Sequence, residues 1–144
     1  MDGKFLPPLP CMCASFRRTA RALSQLYDEA MRPTGLRGTQ FTILQALSMT
    51  GEITQGDLGE VLALDSTTLT RTLDILSRRG WIAKRQGKDR RERWLRLTPA
   101  GQKQFNAALP AWQKVQDRLR RQMGHERWQA LLQMTQEVTE AAIR

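Results

Sequence analysis

The hydrophobic period of this chain changes at Gly80, and that change restricts the folds open to it. Between residues 54 and 79 apolar residues return at helical spacing: Leu58, Val61 and Leu62 in a short run, then Leu69, Leu73 and Leu76 in a longer one. Thr54 and Asp65 stand where the two runs begin. Each side chain can accept the backbone N–H three residues on, and Asp57 suits the positive end of the first helix. Ala63-Leu64 turns the chain between the runs, Gly80 stops the second helix, and Arg78-Arg79 suits its negative carboxyl end. Two helices on so short a turn are a helix-turn-helix. Past Gly80 the period moves towards two. Residues 81–86 are a strand candidate and Gly87-Lys88-Asp89-Arg90-Arg91 a polar turn. In residues 92–98, Arg93, Leu95 and Leu97 alternate with Trp94 and Arg96, the pattern of a half-buried strand. A helix-turn-helix followed by a basic hairpin is a winged helix.

The flanks are helical. Phe16, Ala20, Leu23, Tyr27 and Ala30 mark one face of a helix over residues 12–31, which Pro33 and Gly35 end. Phe41, Leu44 and Leu47 give the buried row of another helix over residues 38–49. Thr98-Pro99 reads as the cap and first position of a helical segment that runs to the end, interrupted at Gly124-His125 and kinked or broken at Pro110. Trp112, Val115 and Leu119 form one apolar row in it; Trp128, Leu131, Leu132, Thr135 and Val138 form another. These outer helices are less apolar than a self-contained bundle needs. A symmetric dimer interface accounts for them better than packing onto the chain's own core. The expected class is therefore mainly α with a small β-hairpin wing. Residues 1–11 form a leader, 12–37 and 100–144 a helical dimerisation region, and 38–99 a DNA-binding lobe.

Charge points to the partner. Lys and Arg number 23 against 14 acids, a net +9, and such an excess suits a polyanion. Its placement is informative. Residues 52–70 carry four acids and no base, whereas residues 78–96 carry nine bases against Asp89 and Glu92. The major groove of duplex DNA admits one helix whose first turns reach base edges. The residues so placed are Ser66, Thr67, Thr68, Thr70 and Arg71, with Arg71 suited to a guanine or a phosphate. Lys88, Arg90 and Arg91 at the hairpin tip suit the negative potential of a narrow minor groove. A nonspecific architectural DNA binder is the competing reading, and a protein-interaction module on the same scaffold a further one.

Other classes lack their residues. One histidine, no clustered carboxylates, no glycine-rich phosphate loop and no metal-ligand spacing leave no basis for an enzyme, a metal site or a bound cofactor. No apolar run is long enough to span a membrane and the first ten residues contain no signal-like apolar stretch, so a cytoplasmic location is expected.

The run from Leu58 to Arg79, Asp89-Arg90-Arg91, and Leu97-Thr98-Pro99-Ala100-Gly101 together resemble the MarR family of winged-helix transcriptional regulators. The family's recognition helix has the shape D-x-x-T-L-T-R-x-L-x-x-L-x-x-x-G, met here from Asp65 to Gly80, and its wing the shape D-x-R followed by L-T-x-x-G. Arg32-Pro33-Thr34-Gly35-Leu36 and Gln40-Phe41-Thr42-Ile43-Leu44 are similar to the family's lead into its second helix. Arg37-Gly38-Thr39 departs from it, since a Ser or Thr cap is common there. The resemblance implies a homodimer on a pseudo-palindromic operator, with half-sites about 34–36 Å apart. It also implies that Asp89 and Arg91 pair to hold the wing while Arg90 reaches the groove. It implies a repressor relieved by a small molecule, often phenolic or aromatic, or by cysteine oxidation. Phe16, Tyr27 and Trp112 are candidates to line an effector pocket. Cys11 and Cys13, near the start of a helix and one turn from Arg17 and Arg18, are the candidate redox pair, with plain packing residues as the alternative. A disulfide between residues this close in sequence is strained, which leaves pairing between subunits.

Overall fold

The computed structural model describes residues 9–143, so most of the expected leader lies outside the described residues. Helix α1 (Met12–Met31) runs into a 3-10 turn at Arg32–Thr34 and stops at Gly35, whose φ of 77° is left-handed. Then come α2 (Gly38–Thr50), β1 (Glu52–Thr54), α3 (Gln55–Leu62), α4 (Ser66–Arg78), β2 (Ile82–Gln86), β3 (Arg93–Leu97), α5 (Pro99–Met123) and α6 (His125–Ile143). Helix boundaries follow the caps read from the residues. Thr54 Oγ1 accepts the Asp57 N–H at 3.1 Å and Asp65 Oδ1 the Thr68 N–H at 2.7 Å. At the far end of α4 the Gly80 N–H reaches the Ser77 carbonyl and the Trp81 N–H the Leu76 carbonyl, a paired closure that the left-handed Gly80 permits.

The sheet has three antiparallel strands in the order β1-β3-β2. The hairpin β2–β3 is the expected wing; β1, pairing Ile53 with Leu95, was not expected. Three residues carry no readable period, and β1 exists because β3 offers a free edge beside the chain leaving α2. The core gathers Phe41, Ile43, Leu44 and Leu47 of α2, Leu58 of α3, Leu69, Leu73 and Leu76 of α4, Leu95 of β3 and Phe105 of α5. Phe41 lies 5.3 Å from Phe105 and 5.9 Å from Trp112 between ring centroids, which ties α2 to α5.

Two expectations need correction, and the departure at the start of α2 finds its reason. Val61 is not on the inner face of α3: it is 66% exposed while Leu58 is fully buried. An eight-residue helix resting on a small sheet and α4 covers only a narrow stripe, and Val61 falls outside it. Pro110 does not break its segment, since α5 continues through it to Met123. The start of α2 needs no Ser or Thr cap. Asp28 Oδ1, from α1, accepts the Gly38 N–H at 2.7 Å, and Gln40 Oε1 accepts the Arg37 N–H at 3.1 Å.

Candidate nucleic-acid interface

The leucines of α4 turn inward, so its other face is presented outward by geometry alone. Ser66, Thr67, Thr68, Thr70 and Arg71 are all exposed. Their hydroxyls divide by task. Thr68 Oγ1 donates to Asp65 Oδ2 at 2.9 Å and so completes the helix cap. Thr70 Oγ1 accepts from Gln55 Nε2 at 3.1 Å, which links the starts of α3 and α4. Ser66, Thr67, Thr70 and Arg71 share one open depression with Asp74. The Thr68 backbone N–H holds the Asp65 carboxyl below its usual range, with the Thr68 hydroxyl adding to it.

The bases of the wing also sort themselves. Lys84 Nζ pairs with Asp74 Oδ1 at 2.8 Å, which fastens β2 to α4 and lowers the Asp74 carboxyl. Arg85 donates to Glu52 on β1 at 3.1 Å and stacks over Trp94, 5.1 Å from its ring centroid. Arg79 donates to the Gly35 carbonyl at 2.8 Å. These three hold the lobe together. Lys88, Arg90 and Arg91 are exposed and make no ion pair among the described residues.

Asp89 does fix the wing, but through the main chain. Its Oδ1 accepts the Arg91 backbone N–H at 3.0 Å, and its carbonyl accepts the Glu92 N–H at 3.0 Å. The expected Asp89–Arg91 ion pair is absent among the described residues. A short aspartate side chain reaches the amide two residues on more easily than a guanidinium can fold back. The Arg91 head is thereby released. Arg91 and Ser66 line the same cleft of about 760 Å³, so the wing base and the first turn of α4 face one space.

A second cavity, of about 460 Å³, opens between α1, α2, the α3–α4 turn and α5. Tyr27 and Trp112 line it. Phe16 does not. It shares the Tyr27 stripe but lies eleven residues earlier in α1, roughly 16 Å along the axis at about 1.5 Å per residue. The Tyr27 hydroxyl donates to Gln116 Oε1 of α5, and burial raises its ionisation above the usual tyrosine range. Cys11 caps α1, its Sγ accepting the Ala14 N–H at 3.5 Å; Cys11 and Cys13 are both exposed and free.

Comparison with known proteins agrees with this geometry. The MarR family model matches residues 36–92. The M. tuberculosis transcriptional regulator MosR, in a crystal structure in complex with DNA, superposes with a TM-score of 0.83 at 34% identity, over 92% of this chain and 96% of that one. The chain belongs to the MarR family. It is 33% identical over 88 residues to the HTH-type transcriptional regulator YwoH of Bacillus subtilis, over 61% of this chain and 64% of YwoH. It is 36% identical over 78 residues to the multiple antibiotic resistance protein MarR of Salmonella typhimurium, over 54% of each. The chain thus spans between about half and two thirds of the length of these two curated relatives. MarR-family proteins are transcriptional regulators and not enzymes. Among the described residues no helix is long and apolar enough to cross a membrane.

Within the MarR-family frame, two residues carry more of the site than their types suggest. Gln55 donates to the Thr70 hydroxyl and so orients that side chain on the outward face of α4; a glutamine opening a short helix has no distinguishing pattern. Asp28 couples α1 to the first turn of α2 across ten residues, a pairing visible only once the helices are in place.

Proposed function

We propose that this protein is a homodimeric, sequence-specific DNA-binding transcriptional repressor whose grip on a pseudo-palindromic operator is relieved by an effector. The observation that carries the reading is the combination of an exposed α4 face, Ser66, Thr67 and Arg71, with the wing cations Lys88, Arg90 and Arg91, which make no ion pair among the described residues. Arginine at the start of a groove-reading helix suits base edges, and exposed arginines on a ribbon suit the minor groove. MosR, matched over 92% of this chain, is solved in complex with DNA.

Residues 38–99 would be the DNA-binding lobe, and 12–37 with 100–144 the dimerisation region. The apolar face of the terminal helices supports the second assignment. Met12, Phe16 and Leu23 of α1 and Leu131, Leu132 and Met134 of α6 are exposed in the single chain, and Trp128 alone is buried in α6. The cavity lined by Tyr27 and Trp112 joins the two regions and would receive a small-molecule effector. The exposed Cys11 and Cys13 supply a second input, oxidation. Peroxide should then release the operator from the parent and not from a Cys11→Ser, Cys13→Ser variant; equal release from both discards that input.

The test is DNA binding by fluorescence anisotropy, on an operator defined by footprinting and on random duplex. Arg71→Ala should cost about 10–100-fold on the operator and far less on random DNA. Arg90→Ala should weaken both and reduce the salt slope by about one unit. Equal affinity for every duplex, untouched by Arg71→Ala, rejects the reading in favour of a nonspecific architectural binder.

A further inference from the structure

The walls of the 460 Å³ cavity indicate what it would accept, and this inference rests on the effector-pocket reading above. Its volume lies within the range of about 300–1,000 Å³ typical of sites for small organic molecules. Phe41 and Trp112 supply aromatic faces, and Leu23, Leu62 and Leu64 aliphatic ones. The polar lining is neutral: hydroxyls of Ser24, Tyr27, Thr39 and Thr42, and amides of Gln45 and Gln116. Among the described residues lining it, Asp28 carries the only charge, and no lysine, arginine or histidine is present.

We infer that this cavity selects uncharged or cationic aromatic molecules able to hydrogen bond, and excludes aromatic carboxylates. An anion entering it would give up its hydration with no cation to receive it, a cost that neutral polar groups do not carry. It would also approach a fixed carboxylate, since Asp28 is held in place by the Gly38 N–H at 2.7 Å. The amino end of α2 is the one element here that would attract an anion. Asp28 already occupies its first donor and sets a negative charge against it, which weakens that attraction. The Tyr27 hydroxyl is committed to Gln116, and burial keeps it protonated, so it adds no charge of its own. A cation or an N–H donor meets the opposite situation, with the second oxygen of the Asp28 carboxylate, the Gln45 amide oxygen and the Ser24 and Thr39 hydroxyls as acceptors along the lining.

The experiment uses the full chain at pH 7 and three probes of one size: benzamide, benzylamine and benzoate. Binding is measured by calorimetry and by tryptophan fluorescence, in the parent, in Asp28→Asn and in Thr42→Trp. Asparagine keeps a side-chain acceptor for the Gly38 N–H, and Thr42 is exposed, so its replacement fills the cavity without entering the core. In the parent, benzamide and benzylamine should bind about tenfold or more tightly than benzoate. In Asp28→Asn the gap between benzylamine and benzoate should narrow by about threefold or more. Thr42→Trp should abolish benzamide binding. Benzoate binding as well as benzamide in the parent, or a gap unchanged in Asp28→Asn, overturns the charge selection while leaving the pocket standing. If no probe binds, or Thr42→Trp leaves benzamide binding intact, the effector-pocket reading falls and the inference with it.

Discussion

Replacing Gly101 by alanine separates two physical effects of opposite sign. Gly101 lies in the first turn of α5, and on helix propensity alone alanine there should stabilise the protein by about 0.5–1 kcal/mol. The structure predicts the reverse. A Cβ at this position would overlap the Trp81 carbonyl oxygen and sit 2.8 Å from its carbon and 3.1 Å from the Trp81 Cα. Neither side is free to yield. The same carbonyl accepts the Thr98 N–H at 3.1 Å, and the Gly101 N–H is held by Thr98 Oγ1 at 3.0 Å. Overpacking typically costs about 1–3 kcal/mol, and contact with pinned backbone belongs at the upper end of that range. Less the propensity gain, the net loss is about 2 kcal/mol. At about 2–4 °C per kcal/mol for a chain of this size, Tm should fall by roughly 4–8 °C. Gly56→Ala is the control: it is also helical, with nothing within 4 Å of where the added methyl would stand, and should be neutral or gain up to about 1 kcal/mol. Urea unfolding of both variants and the parent measures the difference as a shift in midpoint. Gly101→Ala as stable as the parent, or Gly56→Ala as damaging, would refute the close-approach argument.

Two further outcomes follow from the caps and ion pairs. Thr98→Ala removes both the acceptor for the Gly101 N–H and a 2.6 Å donation to the Gly80 carbonyl, and should lower stability by about 1–2 kcal/mol in urea unfolding. Asp65, Glu52 and Asp74 all have folded ionisation below the unfolded value, through Thr68, Arg85 and Lys84 respectively. Their contribution is therefore present above about pH 4 and is lost as pH falls through the depressed folded values. Thermal melting should be flat from neutrality to about pH 5 and fall below pH 4, less steeply in Asp65→Asn, which keeps a capping acceptor without a titrating group. An acid transition as steep in Asp65→Asn as in the parent would remove Asp65 from the account.

What could be read from the residues divides by the range of the interaction involved. The boundaries of α3, α4 and α5 were legible because their caps, Thr54, Asp65 and Thr98, act three residues away, where residue type and spacing suffice. The wing was legible for the same reason: alternation and a polar turn are local. The exposed side of α4 followed once its three leucines were assigned inward. Strand β1 was not legible, because three residues become a strand only when Leu95 and its neighbours lie alongside. The start of α2 depends on Asp28, ten residues back on another helix. Val61 read as core because a leucine–valine pair at helical spacing shows apolar character but not which stripe a short helix can cover.

The same distinction explains why the division of labour among the basic residues was hidden. Nine bases between residues 78 and 96 look equivalent as charge. In the fold, Arg79, Lys84 and Arg85 are each committed to a partner on another element, while Lys88, Arg90 and Arg91 form no ion pair among the described residues, although Asp89 and Glu92 stand beside them. A partner on another element turns a base into part of the scaffold; a base without one keeps its charge for a polyanion. Asp89 stands next to two of the wing cations and pairs with neither; its carboxyl accepts the Arg91 amide instead. That one hydrogen bond shapes the turn while the carboxylate still subtracts one charge from the tip, so Asp89→Asn, which preserves the acceptor, should leave operator affinity intact or raise it, whereas Asp89→Ala should loosen the wing and lower it. Anisotropy on the operator decides between them: if both variants lose affinity alike, the acidic charge of Asp89 matters at the tip and the backbone account of the wing is wrong.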